Sequence, residues 1–93
     1  MTDRTPCRTP TGTSATNIPT WKYEACRDAI RTVMANGEVK AAEIARRAGE
    51  HLTEEQRAEL GALGWHVTTV RLEMEVRGEI ERRAGTPLRL RLT

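Results

Sequence analysis

The chain reads as one small α+β domain, mostly helical, closed by a short β-hairpin. Three observations predict this. Four successive segments carry apolar residues at spacings of three and four, the mark of amphipathic helices, with glycines punctuating their ends. The last fifteen residues change to a period of two, as strands do. The length of 93 residues, with 38% hydrophobic and 30% charged residues, suits one hydrophobic core and not two.

The first nineteen residues are expected to stay outside that core. Residues 1–20 hold seven threonines and three prolines, with Ile18 almost the only residue able to join a core, so a disordered Thr/Pro-rich tail over residues 1–19 is expected. Its Arg4 and Arg8 make it at most a weakly basic arm. The domain proper then spans residues 20–93, and Trp21 and Trp65 are expected to supply its core together with the Leu, Ile and Val set.

The first helix opens at Thr20 as N-cap after Pro19, carries Trp21, Ala25, Cys26, Ala29, Ile30, Val33 and Met34 on its apolar stripe, and stops at Asn36-Gly37. A short extended stretch, Glu38-Val39-Lys40, leads to a compact second helix from Ala41 to Gly49, with Ala41, Ile44, Ala45 and Ala48 inward. Thr53 and Gln56 form a capping-box pattern that opens a third helix running to about Leu63, with Ala58, Leu60 and Leu63 as its seam and an acidic outer face. The fourth helix runs from about Trp65 to Arg77 and stops at Gly78. At 100° per residue, Val67, Val70 and Met74 form its core seam, and Trp65, Thr69, Leu72 and Val76 form a second strip on the other side.

In the last fifteen residues Leu88, Leu90 and Leu92 alternate with Arg89 and Arg91, and Glu79-Ile80-Glu81-Arg82 precedes a turn at Ala84-Gly85-Thr86-Pro87. Charge matching predicts a register with Ile80 opposite Leu90, Glu81 opposite Arg89 and Glu79 opposite Arg91. Arg82 and Arg83 then stand at the hairpin tip without acidic partners.

Helix, short strand, helix, helix and hairpin follow one another in an order that resembles the winged helix-turn-helix superfamily over residues 21–93. The run Gly37 to Gly49 is similar to the strand and second helix of such domains, Val70 to Arg83 to a recognition helix entering the wing, and Leu88 to Thr93 to the wing's return strand. Between them, residues 50–64 make a longer and more acidic connection than the tight turn usual in that superfamily.

The resemblance implies double-stranded DNA as partner, with the fourth helix in the major groove and the hairpin on phosphate, as in a small transcriptional regulator. The residues expected to touch nucleic acid are Thr68, Thr69 and Arg71 on the fourth helix, Arg46 and Arg47 on the second, and Arg82, Arg83 and Arg89 on the wing. Glu73 is a further candidate, as an acceptor from a cytosine amine; otherwise Glu73 and Glu75 read as solvated.

The net charge of only +2 requires that any such site be local, and residues 65–78 sum to zero. The alternative is a protein-interaction or dimerisation module on the same fold, using Trp65, Leu72 and Val76 as its surface, with a homodimer among the possible assemblies.

Enzymatic readings find no support. Ser14 is the only serine, and His51 and His66 stand apart without a nucleophile beside them. Two His and no Cys cluster make no metal site, and no Gly-rich phosphate loop follows a strand, so neither metal nor cofactor is expected. Apolar runs of only a few residues fall far short of the roughly 20 a membrane helix needs, and the first twenty residues lack the apolar stretch of a signal peptide. Cys7 and Cys26, without Cys-x-x-Cys spacing, suggest no disulfide framework, and a reducing cytoplasm is the expected setting.

Overall fold

The structure is a computed structural model and describes residues 3–12 and 15–93. Strands β1 (Arg4–Arg8) and β2 (Ala15–Pro19) precede helix α1 (Thr20–Val33), strand β3 (Val39–Lys40), helices α2 (Ala41–Gly49), α3 (Glu54–Leu60) and α4 (Leu63–Val76), and strands β4 (Ile80–Arg83) and β5 (Arg89–Leu92). Two antiparallel sheets result: β1 with β2, and a three-stranded sheet in the order β3-β5-β4. The mixed α/β class expected from the two periodicities is therefore present, with four helices against small antiparallel sheets.

Local chemistry accounts for the helix boundaries. Thr53 Oγ1 accepts from the Gln56 amide at 3.0 Å while Gln56 Oε1 accepts from the Thr53 amide at 2.9 Å, so the capping box closes in both directions. Gly78, with φ +76°, turns the chain out of α4 through a conformation that a side chain disfavours. Gly49 leaves room for a side chain of α4. A Cβ there would meet Leu63 Cδ2 at 2.8 Å, so its absence lets the start of α4 pack onto the end of α2. The third helix ends at Leu60 rather than Leu63, because Gly61 adopts φ +85°. Of its expected seam Leu60 is buried, Leu63 half-buried in the first turn of α4, and Ala58 exposed.

The core joins Cys26 and Ile30 of α1, Met34 just after it, Ile44 and Ala48 of α2, Leu60, and Val67, Val70 and Met74 of α4 with Val39, Ile80 and Leu90 of the sheet. Neither tryptophan belongs to it: Trp21 is 37% exposed and Trp65 50%. The reason is angular. Trp21 lies nine residues before Ile30, and Trp65 nine before Met74, so at about 100° per residue each sits a half-turn from a core side chain. Tyr23 takes the place expected of Trp21 and is buried.

Three further expectations are corrected. The disordered tail is replaced, over residues 3–12 and 15–19, by the β1–β2 hairpin, with Cys7 opposite Thr16 and Thr5 opposite Ile18. Cys7 and Ile18 are buried at alternate positions, and the Thr20 amide donates to Asp3 O at 2.9 Å. For residues 1, 2, 13 and 14, Ser14 among them, the expectation lies outside the described residues. Thr20 opens α1 without capping it by its side chain; its hydroxyl bonds instead to Thr5 Oγ1 at 2.9 Å, again tying hairpin to helix.

The second sheet differs by two residues from the expected register: Ile80 pairs with Leu92, Glu81 with Arg91, Arg82 with Leu90 and Arg83 with Arg89. A two-residue shift keeps every side chain on its face, so Ile80 and Leu90 remain buried. On its other edge β5 pairs with β3, where Val39 lies opposite the same Leu90.

Glu73 of α4 holds the N-terminal hairpin on the helical body, and its side chain has no solvent exposure. It accepts from the Arg8 amide at 2.7 Å, Arg8 Nε at 3.0 Å, Arg8 Nη2 at 2.7 Å and Arg77 Nε at 2.7 Å. The Arg77 guanidinium also lies 4.8 Å from the Tyr23 ring centroid. Burial alone would raise the Glu73 pKa, but the hydrogen bonds from the Arg8 side chain and amide, and then from Arg77, hold it at about 2, well below its ordinary 4.5. Neither a groove acceptor nor a solvated carboxylate fits this position, because both carboxylate oxygens are occupied inside the protein.

Two outcomes follow from this packing. Replacing Glu73 by Gln is expected to lower stability in urea at pH 7 by about 2–3 kcal/mol, less than a fully enclosed pair because the Arg8 side chain remains 53% exposed. An unfolded carboxyl takes up its proton near 4.5 and the native one near 2, so this stabilisation is complete above about pH 5 and fades as pH falls through that window. The Glu73→Gln variant should lack that acid limb. Met74→Ala, at a fully buried site, should cost about 2–5 kcal/mol in the same measurement.

Candidate functional site

Because α4 turns Val67, Val70, Glu73 and Met74 inward, the opposite side of the same helix faces away from the core. Trp65 and Thr68 are exposed there, with Thr69, Leu72 and Val76 half-buried. The indole of Trp65 meets the His66 ring edge-on, centroids 4.8 Å apart, and His66 Nδ1 lies 2.7 Å from Ala62 O, which fixes that ring against its own helix. Strip residues expected from the sequence, Trp65, Thr69, Leu72 and Val76, thus share one outward face.

The arginines of the candidate nucleic-acid surface are placed differently from expectation. Arg71 is only 13% exposed in its side chain and donates to Glu75 Oε2 at 2.8 Å, an i,i+4 pair along α4. Arg82, expected to lack an acidic partner, donates to the other oxygen of the same Glu75. Arg83 pairs with Glu38 at 3.2 Å and Arg89 with the same carboxylate at 3.6 Å. Arg83 and Arg89 face each other across the β4–β5 ladder, where like charges repel, and Glu38 lies against both. Arg91 pairs with Glu81, Glu79 with Arg27 at 2.7 Å and Arg31 at 3.5 Å, and Arg46 with Glu43 at 3.4 Å and Glu50 at 3.3 Å. Arg47, half-buried on α2, makes no ion pair among the described residues.

Glu75 and Glu38 are the groups that a reading of the sequence alone misses. The Arg71–Glu75 spacing is visible in the sequence. The union of Arg83 and Arg89 on Glu38 is not, since it requires β3 to lie beside β5.

On α3 the balance is the reverse. Glu54, Glu55 and Glu59 are exposed and form no ion pair among the described residues, and residues 50–64 carry four acids against Arg57 alone, a net −3. Only Gly61 and Ala62 separate α3 from α4, and Lys22 Nζ donates to Leu60 O at 3.2 Å, anchoring the end of α3 to α1.

A cleft of about 370 Å³ opens between the end of α1 and the sheet, floored by Met34 and Leu92 and rimmed by Glu38, Arg83 and Arg91. Its rim charges already satisfy one another or Glu81. Cys7 and Cys26 are buried free thiols, and burial pushes the pKa of each up to about 11, which leaves them poor nucleophiles at neutral pH. The Tyr23 hydroxyl is buried without a hydrogen-bond partner among the described residues, and burial raises its pKa as well. No group of three or more His, Cys, Asp or Glu among the described residues is placed to hold a metal ion, and no described helix is long and apolar enough to cross a membrane.

Comparison with curated proteins gives no match, and comparison with solved structures gives none either. A family model does match residues 4–90, from the first strand of the N-terminal hairpin into β5, and the chain belongs to that family, a family of unknown function (DUF6958).

Proposed function

We propose that this domain is a winged-helix protein-interaction module, with the outward face of α4 as its docking surface. The winged-helix reading is supported by the order α1-β3-α2-α3-α4-β4-β5 and by the strand order β3-β5-β4, the arrangement expected of a hairpin that serves as a wing. The interaction reading is carried by one observation: Trp65, half exposed, heads a strip with Leu72 and Val76 on the side of α4 turned away from the core. Indole, isobutyl and isopropyl groups on a helix face suit an apolar partner, and aromatic anchors carry much of the energy of protein interfaces.

Reading bases in a major groove needs donors and acceptors held toward the base edges. On α4 the long polar side chains are otherwise engaged: Arg71 with Glu75, His66 with Ala62 O, and Glu73 inside the protein. Thr68 and Thr69 are the short polar groups left on that face. Duplex DNA is the second reading, favoured by the excess of two positive charges over residues 79–93, since phosphate could displace Glu38 or Glu81 from exposed arginines at little cost. Homodimerisation through the α4 face is one form of the first reading. No catalytic role is assigned, and the buried free thiols suit a reducing, cytoplasmic setting.

The test runs two arms on the full chain. A displayed library of helical peptides should enrich on the wild-type protein and fail to enrich on Trp65→Asp/Leu72→Asp, whose substitutions lie on an exposed or half-buried face. Anisotropy of labelled mixed-sequence duplex DNA at low salt should show no binding that weakens steeply with salt. Salt-steep DNA binding that disappears in Arg82→Ala/Arg83→Ala, with no peptide enrichment, would replace the interaction reading by the DNA reading.

A further inference from the structure

We infer that the partner of the α4 face is a basic amphipathic segment, one that lays apolar side chains on Trp65, Leu72 and Val76 and sets lysines or arginines against α3. This rests on the interaction reading and adds the charge of the partner to it. Two independent features of the surface carry this inference. One is the apolar strip of α4, whose flanking carboxylates on the helix are already held, Glu75 by Arg71 and Arg82 and Glu73 by Arg8 and Arg77. The other is α3, whose Glu54, Glu55 and Glu59 are exposed and without ion pairs among the described residues, in a molecule where most other carboxylates have a guanidinium against them.

The contrast between these helices is physical. Arginines gather on Glu38, Glu73, Glu75 and Glu79, each of which has two guanidiniums within ion-pair distance, whereas α3 carries Arg57 as its own cation and receives Lys22 on the Leu60 carbonyl, not on a carboxylate. Glu54 and Glu55 sit in the first turn of α3, where they favour the helix N-terminus, which explains two of the acids. Glu59 lies in the last turn, where a negative charge is disfavoured, and has no such explanation.

Position links the two features. Glu59 is six residues before Trp65, which limits their Cα separation to about 20 Å even for an extended chain, and the chain between them turns through Gly61. A helical segment of fourteen residues is about 21 Å long, enough to cover the strip and reach α3. Complementary charge at the edge of such a surface raises the association rate and selects among apolar partners.

The experiment compares two fourteen-residue helical peptides with identical leucine patterns, one with lysine and the other with glutamate at the remaining positions, each labelled for anisotropy. The lysine peptide should bind the wild-type chain at least about tenfold more tightly at low salt, and the preference should shrink as the Debye length falls below about 8 Å. Glu55→Gln/Glu59→Gln should remove most of that preference while leaving the thermal midpoint within a few degrees, since both residues are exposed. Trp65→Ala should weaken the lysine peptide at every salt concentration. Equal binding of both peptides, still dependent on Trp65, would overturn the charge inference and leave the interaction reading intact. Binding of neither peptide would overturn both. A lysine preference that survives Glu55→Gln/Glu59→Gln would also overturn the assignment to α3.

Discussion

The contact on which the rest of the molecule depends is the buried carboxylate of Glu73, gripped by Arg8 from the N-terminal hairpin and Arg77 from the end of its own helix. A single ion pair on a surface contributes little. This one lies where Glu73 has no access to water, and it draws a backbone amide and two guanidiniums onto two oxygens, so loss of any donor leaves charge without compensation. It also sets geometry. With Arg8 fixed at the end of β1, Cys7 and Ile18 cover one flank of the α1–α4 packing, and Thr5 and Asp3 meet Thr20 at the start of α1. Arg77, turned back toward Glu73, lies over Tyr23, a residue the core accommodates although its hydroxyl goes unpartnered.

From that anchoring comes the asymmetry of α4. One side is committed to the core and to the hairpin clamp, and the hairpin covers the Glu73 edge rather than the Trp65 strip. The helix is therefore wrapped on its inner side and open on its outer side. The arginines of the β4–β5 hairpin are neutralised from outside it: Glu75 and Glu38 each hold two arginines, so the basic residues nearest α4 are paired rather than displayed as free phosphate ligands. Acidic charge remains displayed on α3. The functional reading follows from this distribution more than from the presence of a closing hairpin.

The helices were legible because their determinants are local. The capping box at Thr53 and Gln56, the glycine after α4, the Ala41–Gly49 helix and the Val67, Val70 and Met74 seam all depend on residues within a turn or two of one another. Steps of three and four do not by themselves fix one face: over nine residues the rotation sums to a half-turn, so Trp21 lies opposite Ile30 and is exposed. The candidate site was legible in part. Trp65, Leu72 and Val76 were recognisable as a strip because they belong to one helix, whereas Arg82 and Arg83 looked free because their partners, Glu75 and Glu38, come from other elements.

The sequence by itself determined the four helices, the alternation that makes the closing hairpin and the face of α4 that turns outward, since each follows from side-chain period and from short-range capping. Only the tertiary structure decided the rest. Cys7 and Ile18 are too few to order a Thr/Pro-rich segment in isolation, and they do so here because α1 and α4 present a surface and Glu73 presents a buried charge for Arg8. The hairpin register could satisfy charge in more than one alignment, and β3, arriving from far earlier in the chain, joins the other edge of β5 and places Val39 against Leu90. Both are long-range choices, made by groups that are remote in sequence and adjacent only once the helices have packed.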